Sequence, residues 1–348
     1  MKAWQLGARP AAAIAAGDAI GNLELIERPD PVAGPGEIVV RVIAAGLNYR
    51  DLMVLRGAYG HGLPEARIPL TDGVGVVEAV GEGVTGLALG ERVIAANFTT
   101  WLGDGGYLYH VFASDLGVTR DGWLAERIVL PAAAAIRVPD AISDETAACT
   151  AVVAGTVWHA MVAFGQVKAG DLVLTQGTGG VALYTLQLAK ALGADVAITS
   201  SSEDKLARVR AMGADYAINY RARPDWAAAL LEASGGRGAD VVVDTIGFAQ
   251  LGQTLAATAI EGRIATLGAL SGSPQDKADC DQGALIGKNV TVKGIASGHR
   301  GMIASALGVM AEHGIAMVID RSFAFDEAPA AYRHLLSGAH LGKVLVRI

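Results

Sequence analysis

Cationic residues and cysteines are the scarce elements of this sequence. Across 348 residues, 28 Lys and Arg stand against 35 Asp and Glu, for a formal net charge of −7. No long basic run exists. A surface that neutralises nucleic-acid phosphates needs clustered cations, so nucleic acid is not an expected partner. The two cysteines, Cys149 and Cys280, form neither a disulfide framework nor a zinc-ligand spacing. That poverty suits a reducing, cytoplasmic setting. Nor is a membrane partner expected. The run "AAAIAAG" is flanked by Arg9-Pro10 and Asp18, and reads as part of a strand and hairpin rather than a secretion signal. Residues 146–167 are uncharged over a length that can cross a bilayer. However, they hold three Thr, His159, Gln166 and glycines, and lead into a Lys-Ala-Gly-Asp turn. A buried helix is the expectation there.

What is abundant is apolar and small. Hydrophobic residues make up 52% of the chain, and there are 45 glycines, enough for large cores and many tight turns. The length favours two domains. Residues 1–140 read as short β segments punctuated by Gly and Pro, among them "GEIVVRVIAAG", "DGVGVVEAVGEG", "GERVIAAN" and "AERIVLP". No long helical period intervenes, so a barrel-like β domain is expected.

From Asp171 the pattern changes. Six strand candidates follow: "DLVLTQ", "DVAITS", "DYAIN", "DVVVDTIG", "RIATLG" and "NVTVKGI". Helical stretches separate the first four, each ending at Gly as a C-cap requires. Six strands with helical crossovers specify a doubly wound parallel sheet. After it come two helical stretches and a last strand, expected to return to the β domain. The expected division is therefore 1–140 plus 298–348 for the β domain and 141–297 for the parallel-sheet domain.

The turn "QGTGGVA" joins the first parallel strand to its helix. Gly177, Gly179 and Ala182 match G-x-G-x-x-A, and Gly180 adds another glycine. Such a turn lets a dinucleotide pyrophosphate approach the backbone, at a helix N-terminus whose free N–H groups and dipole favour the anion. The second strand ends in Thr199-Ser200-Ser201-Ser202, followed by Glu203 and Asp204, read as first-turn acids that complement the helix dipole, and by Lys205 one turn on. Hydroxyls and an ammonium there suit a 2′-phosphate, so NADPH is favoured over NADH. The competing reading is an ordinary helix N-cap at Ser202.

These features, together with "NYRD", "RGAYG", "GTGGV" and "GKVLV", resemble the medium-chain dehydrogenase/reductase superfamily over essentially the whole chain. The similarity is greatest to its zinc-independent, quinone-oxidoreductase-like branch, many members of which carry an alcohol dehydrogenase label. The resemblance implies an α/β architecture: a GroES-like β-barrel catalytic domain plus a doubly wound Rossmann domain with a six-stranded parallel sheet. It implies a homodimer formed through the last strand of that sheet. In the zinc enzymes of the superfamily, a Cys stands at the position of Asn48, a His-Glu pair at Thr71-Asp72, and a Cys near Val152. No metal ligand is therefore expected here, although Cys149 lies close to the third position, and Asp72, His61 and His159 are the candidates for a different site.

The resemblance also assigns site residues. Asn48, Asp51 and Tyr59 are the catalytic candidates: Asn48 as donor to the substrate oxygen, Asp51 as the group orienting the segment, Tyr59 as a proton relay. Met53 stands where a second family tyrosine is common. Asn48 and Thr156 lie by the nicotinamide. Gly177, Thr178, Gly179, Gly180 and Val181 hold the pyrophosphate, and Ser200, Ser201 and Lys205 the adenosine end. Arg50 reads as surface charge. Trp101, Tyr107 and Tyr109 either line a substrate pocket or pack beneath a loop. Without a metal there is no Lewis acid, and reduction of a conjugated carbonyl or quinone asks less of the protein than oxidation of an alcohol. The expected function is a zinc-independent, NADPH-dependent reductase of that kind. The alternatives are an alcohol dehydrogenase and an NADPH-binding sensor or structural protein without turnover.

Overall fold

A computed structural model describes residues 1–7, 19–59, 66–105, 107–268 and 282–348. The "AAAIAAG" run, His61 and Cys280 lie outside them. The chain divides into two units, Met1–Gly155 with His299–Ile348, and Thr156–Gly298.

The first unit is built on strands whose apolar residues alternate or run together: β1 (Lys2–Leu6), β2 (Leu23–Glu27) and the long β3 (Glu37–Leu47). Helix α1 (Tyr49–Leu55) follows β3 directly, and then come β4 (Asp72–Val80), β5 (Arg92–Ala95), β6 (Arg127–Pro131), β7 (Ala135–Arg137) and α2 (Asp144–Ala148). Helix α3 (Ala151–Trp158) carries the chain across the division between the units.

The second unit alternates strand and helix as its pattern predicts. Its strands are β8 (Leu172–Gln176), β9 (Asp195–Ser200), β10 (Tyr216–Asn219), β11 (Ala239–Asp244), β12 (Thr258–Thr266) and β13 (Thr291–Gly294). Its helices are α4 (Gly180–Ala191), α5 (Glu203–Ala211), α6 (Trp226–Ala233), α7 (Leu251–Ala257) and α8 (Gln282–Gly287). The strands form one parallel sheet in the order β10-β9-β8-β11-β12-β13. All five residues of β8 are buried, as a central parallel strand covered on both faces should be. Helices α4 and α5 end just before Gly193 (φ 78°) and Gly213 (φ 100°), in the left-handed cap conformation that glycine takes without steric cost.

The chain then returns to the first unit as α9 (Arg300–His313), β14 (Ile319–Ala324), α10 (Ala328–Leu336) and β15 (Lys343–Arg347). Strand β15 pairs antiparallel with β3, giving the sheet order β14-β15-β3-β4-β5-β7 with β6 also on β3.

Three expectations need correction. The first division falls after residue 155, not 140, because 141–155 is tied into the first unit: Val152 N–H donates to Asp72, and Met317 N–H to the Thr146 hydroxyl. Residues 146–167 are not one helix. α2 ends at Cys149 (φ −109°), α3 follows, and His159–Phe164 forms a π-helical turn. The Thr150 hydroxyl bonds the Thr146 carbonyl at 2.6 Å across the break, the back-bonding that bends helices at Ser and Thr. Strand β14 falls in the tail, where the sequence pattern predicts two helical stretches and only one strand. Only Phe323 of its six residues is buried, so it lacks the alternation that marks a half-buried strand.

Candidate active site

Strand order places the site in the first unit. Adjacent β15, β3 and β4 are antiparallel, so the start of β15, the end of β3 and the start of β4 lie side by side, with Val344 opposite Leu47 and Gly46 opposite Asp72. Lys343, Asn48 and Asp72 are the polar residues at that end. Gly342 makes the entry to β15 possible. It has φ 83°, and a Cβ there would lie 2.2 Å from the Val318 carbonyl oxygen. Gly73 does the same for β4, since a Cβ would press into the Trp123 indole at 2.4 Å.

Asn48 precedes α1, but its side chain does not cap that helix. Instead its Oδ1 accepts from Lys343 Nζ at 2.7 Å, and its Nδ2 donates to Asp72 Oδ2 at 2.9 Å. Lys343 Nζ also lies 3.5 Å from Asp72 Oδ2, with the two side chains 4% and 0% exposed. The other Asp72 oxygen accepts from Val152 N–H at 2.9 Å. The cap is supplied by Asp51, whose carboxylate accepts from Asn48 N–H at 2.7 Å and neighbours the Thr71 hydroxyl. Burial pushes the Asp51 carboxyl up to about 6, against the pull of Arg50.

Arg50 is not surface charge. It pairs with Asp115 at 2.5 Å, with side chains only 10% and 1% exposed. A buried arginine is retained only when paired. Burial opposes the charge, and Asp115 overrides it to raise the guanidinium's pKa. That guanidinium stacks 4.5 Å from the centroid of the Tyr59 ring, a cation–π contact. Tyr59 is thus held beside Arg50 and Asp115, its phenol pushed up by burial although Arg50 pulls it down. The structure therefore joins Asn48 and Asp51 into one buried polar cluster with Asp72, Thr71 and Lys343, and seats Tyr59 on Arg50. Of these, Lys343 and Asp115 had no sequence signal as site residues. The only pointer to Lys343 was its place in "GKVLV".

The residues that the resemblance sets at the zinc enzymes' ligand positions offer an amide, a hydroxyl and one carboxylate that already accepts two hydrogen bonds and lies 3.5 Å from an ammonium. The nearby Cys149 is fully buried and its thiol is pushed up to about 12 by burial, which keeps it protonated at neutral pH. Among the described residues no three His, Cys, Asp or Glu side chains are grouped to hold a metal ion.

The second unit holds the other predicted residues. Gly177 has φ 79°, and neither it nor Gly179 has an atom within 4 Å of a would-be Cβ. That open cradle, ahead of Gly180 and Val181 in the first turn of α4, fits a pyrophosphate. Thr178 and Thr156 are buried nearby in sequence and on α3, respectively. At the end of β9, Ser200 and Ser202 are used locally. Ser200 Oγ accepts from Ser202 N–H at 3.4 Å, and Ser202 Oγ caps α5 by accepting from Lys205 N–H at 3.3 Å. Acceptance leaves each hydroxyl proton to donate elsewhere. Ser201 and Lys205 are half-buried at the same edge.

Trp101 is 4% exposed and packs with Phe98, Phe112, Tyr107 and His299 in the first unit. It is therefore a packing residue, whereas Tyr107 is 44% exposed. The Tyr109 side chain lies outside the described residues. His159 bonds the Ser297 carbonyl and approaches Lys293 within the second unit; Asp72 is in the other. Among the described residues no helix is long and apolar enough to cross a membrane.

Comparison with known proteins agrees with this architecture. Residues 34–140 match the alcohol dehydrogenase GroES-like domain family and residues 180–312 the zinc-binding dehydrogenase family. The chain is 38% identical over 320 residues to a zinc-type alcohol dehydrogenase-like protein of Schizosaccharomyces pombe, covering 90% of this chain and 91% of that one. It is 30% identical over 337 residues to an acryloyl-coenzyme A reductase of Sulfurisphaera tokodaii, covering 93% and 96%. A solved NAD-dependent alcohol dehydrogenase superposes over 100% of both chains, with a TM-score of 0.88 and 32% identity.

Proposed function

We propose that this chain, which belongs to the medium-chain dehydrogenase/reductase superfamily, reduces a conjugated carbonyl or a quinone with NADPH and without a catalytic metal. Membership makes it an oxidoreductase that uses a nicotinamide cofactor, against the reading of a sensor without turnover. The observation carrying the finer proposal is the Asn48–Asp72–Lys343 network. Zn²⁺ needs thiolate, imidazole or free carboxylate ligands in a tetrahedral set. Here the one carboxylate accepts two hydrogen bonds and neighbours an ammonium, which repels a dication.

Without a Lewis acid, the reaction has to place its charge where hydrogen bonds suffice. The residues of the glycine turn, Gly177 to Val181, would hold a nicotinamide cofactor, which when bound would supply the hydride. When the hydride adds to the β-carbon of an enone, the electron pair moves to the carbonyl oxygen as an enolate. Asn48 Nδ2 has a second hydrogen beyond the one given to Asp72, and we assign it to that oxygen. One well-placed donor to an oxyanion is worth about 3 kcal/mol. Tyr59 is assigned as relay for the proton that completes the reduction. Asp51 holds the backbone from which the Asn48 side chain projects. The acryloyl-coenzyme A reductase relative, named for a conjugated acyl substrate, supports this class. The names of the other two relatives support alcohol oxidation as the second reading.

The proposed preference for NADPH rests on Ser200 and Ser201 at the end of β9 and Lys205 in the first turn of α5, with Glu203 and Asp204 of that turn read as acids that complement the helix dipole. A homodimer is proposed as well, since β13 is an edge strand whose four residues are all exposed. The test is a panel of enones, quinones and alcohols with both cofactors, run on protein analysed for metal and with a chelator present. The expected result is enone or quinone turnover with NADPH, no stoichiometric zinc and no effect of chelation. One tightly bound zinc per chain, with activity lost on its removal, overturns the proposal in favour of alcohol oxidation.

A further inference from the structure

We infer that Lys343 is the residue through which this site carries its fixed positive charge, acting on the substrate oxygen by way of the Asn48 amide. The inference rests on the reading of Asn48 as donor to a developing oxyanion. It assigns Lys343 a positioning role rather than direct contact with substrate.

The geometry points there for three reasons. First, an amide has one accepting and one donating end, and they are easily exchanged. An ammonium can only donate and an ionised carboxylate can only accept. Lys343 at 2.7 Å and Asp72 at 2.9 Å therefore fix which end of Asn48 is nitrogen, and one N–H remains for a ligand. Second, a cation on the amide oxygen polarises the amide and strengthens the N–H on its far side, as in any hydrogen-bonded chain. Third, Asp72 is buried beside the donor and its charge opposes an enolate. Lys343, at 3.5 Å and 4% exposed, offsets that charge where little solvent screens either group. The site thus has a lysine ammonium beside two of the residues, Asn48 and Asp72, that the resemblance sets at the zinc enzymes' ligand positions. The chain spends a backbone constraint on delivering it, since Gly342 sits at φ 83° with no room for a Cβ.

A bland alternative is that Lys343 merely ties β15 to β3 and β4. Three variants separate the two: Lys343→Arg, Lys343→Met, and Lys343→Met combined with Asp72→Asn. They are compared by kcat and KM on the enone or quinone turned over by wild type, by melting temperature, and by visible titration of bound p-nitrophenol. The last needs no hydride transfer, because the absorbance reports whether a phenol oxygen in the site is ionised.

The expected result is a kcat about tenfold to a thousandfold lower in Lys343→Met, the range for losing an oxyanion donor, with KM for NADPH little changed. Lys343→Arg, which keeps the charge, should restore most of the rate. The double variant should regain melting temperature, having no buried charge left unpaired, yet keep the low kcat. Bound p-nitrophenol should ionise at lower pH than free p-nitrophenol in wild type and Lys343→Arg, and not in Lys343→Met or the double variant. Recovery of kcat together with melting temperature in the double variant overturns the inference. So does a wild-type protein that leaves p-nitrophenol unshifted or unbound. If wild type reduces no enone or quinone, the functional proposal fails, while the p-nitrophenol titration still decides the role of Lys343.

Discussion

Replacing Asp51 by Asn isolates what one buried carboxyl does to the stability of the first unit. The folded protein holds this group's pKa up to about 6, against an ordinary value of 3.8. Burial is the largest cause, and the Asp72 carboxylate adds to it, while Arg50, the Asn48 N–H and Lys343 pull the other way. Below about pH 4 the group is protonated in folded and unfolded chains alike and contributes nothing to the pH dependence. Between about 4 and 6 the folded chain binds more protons than the unfolded one, so stability from this group falls as pH rises. Above 6 the carboxylate is ionised in both states and the full cost of burying it is present. A shift of about two units corresponds to roughly 3 kcal/mol.

Asn at this position has nearly the same shape and still accepts from Asn48 N–H, but it does not titrate. The stability of Asp51→Asn relative to wild type should therefore climb by up to ~3 kcal/mol between pH 4 and pH 7. For a domain of roughly 200 residues, where 1 kcal/mol moves the melting temperature by about 2–4 °C, that is a relative gain of about 6–12 °C. The assay is denaturant and thermal unfolding of both proteins across that range, read as a difference so that all other titrating groups cancel. A difference that stays flat, or that shrinks as pH rises, refutes the reasoning. Arg50 and Lys343 would then dominate and Asp51 would be an ordinary stabilising carboxylate.

Asn48→Ala should lower kcat on the best enone or quinone by about tenfold to a thousandfold with NADPH binding largely intact, because a donor aimed at developing charge acts mainly in the transition state; an unchanged kcat makes Asn48 structural. Lys205→Ala should raise KM for NADPH by about tenfold to a hundredfold, the worth of a charge-assisted hydrogen bond, and leave NADH almost untouched, with added salt weakening NADPH more than NADH; equal harm to both cofactors makes Lys205 a fold residue. Gly342→Ala should cost at least about 1–2 kcal/mol for the left-handed backbone alone, and it should lower kcat as Lys343 is displaced; unfolding and turnover of one preparation check both.

Much of the fold was legible because local signals and global pattern agreed. β8 to β13 each carry an apolar run bounded by turn residues, and α4, α5 and α6 stop just before a glycine at positive φ. The glycine turn at 177–180 was legible for the same reason, since only a strand-to-helix turn in that place needs those residues. What failed was local in origin. Strand β14 is held by its pairing with β15 rather than by apolar alternation, so nothing in "IDRSFA" announces it. Residues 146–167 look like a helix because every residue tolerates one. Propensity did not show that Cys149 leaves helical geometry, or that the Thr150 hydroxyl bonds back to Thr146 at the break.

The candidate site was half legible for a different reason. Asn48 and Asp51 are three residues apart, so a short-range motif exposes them. Lys343 is 295 residues from Asn48, and only the order β15-β3-β4 makes them neighbours. A lysine at the start of an apolar strand ordinarily reads as an edge residue with its ammonium in water. Here that end of the strand is buried, and the charge is tolerated because Asn48 and Asp72 receive it. Arg50 was misread by the same logic. In sequence it is an exposed residue in the first turn of a helix, while in the structure Asp115 buries it and Tyr59 covers it. Both errors concern charges whose partners are remote in sequence. Both charges are held by buried carboxylates that the fold brings to them, Asp72 for Lys343 and Asp115 for Arg50.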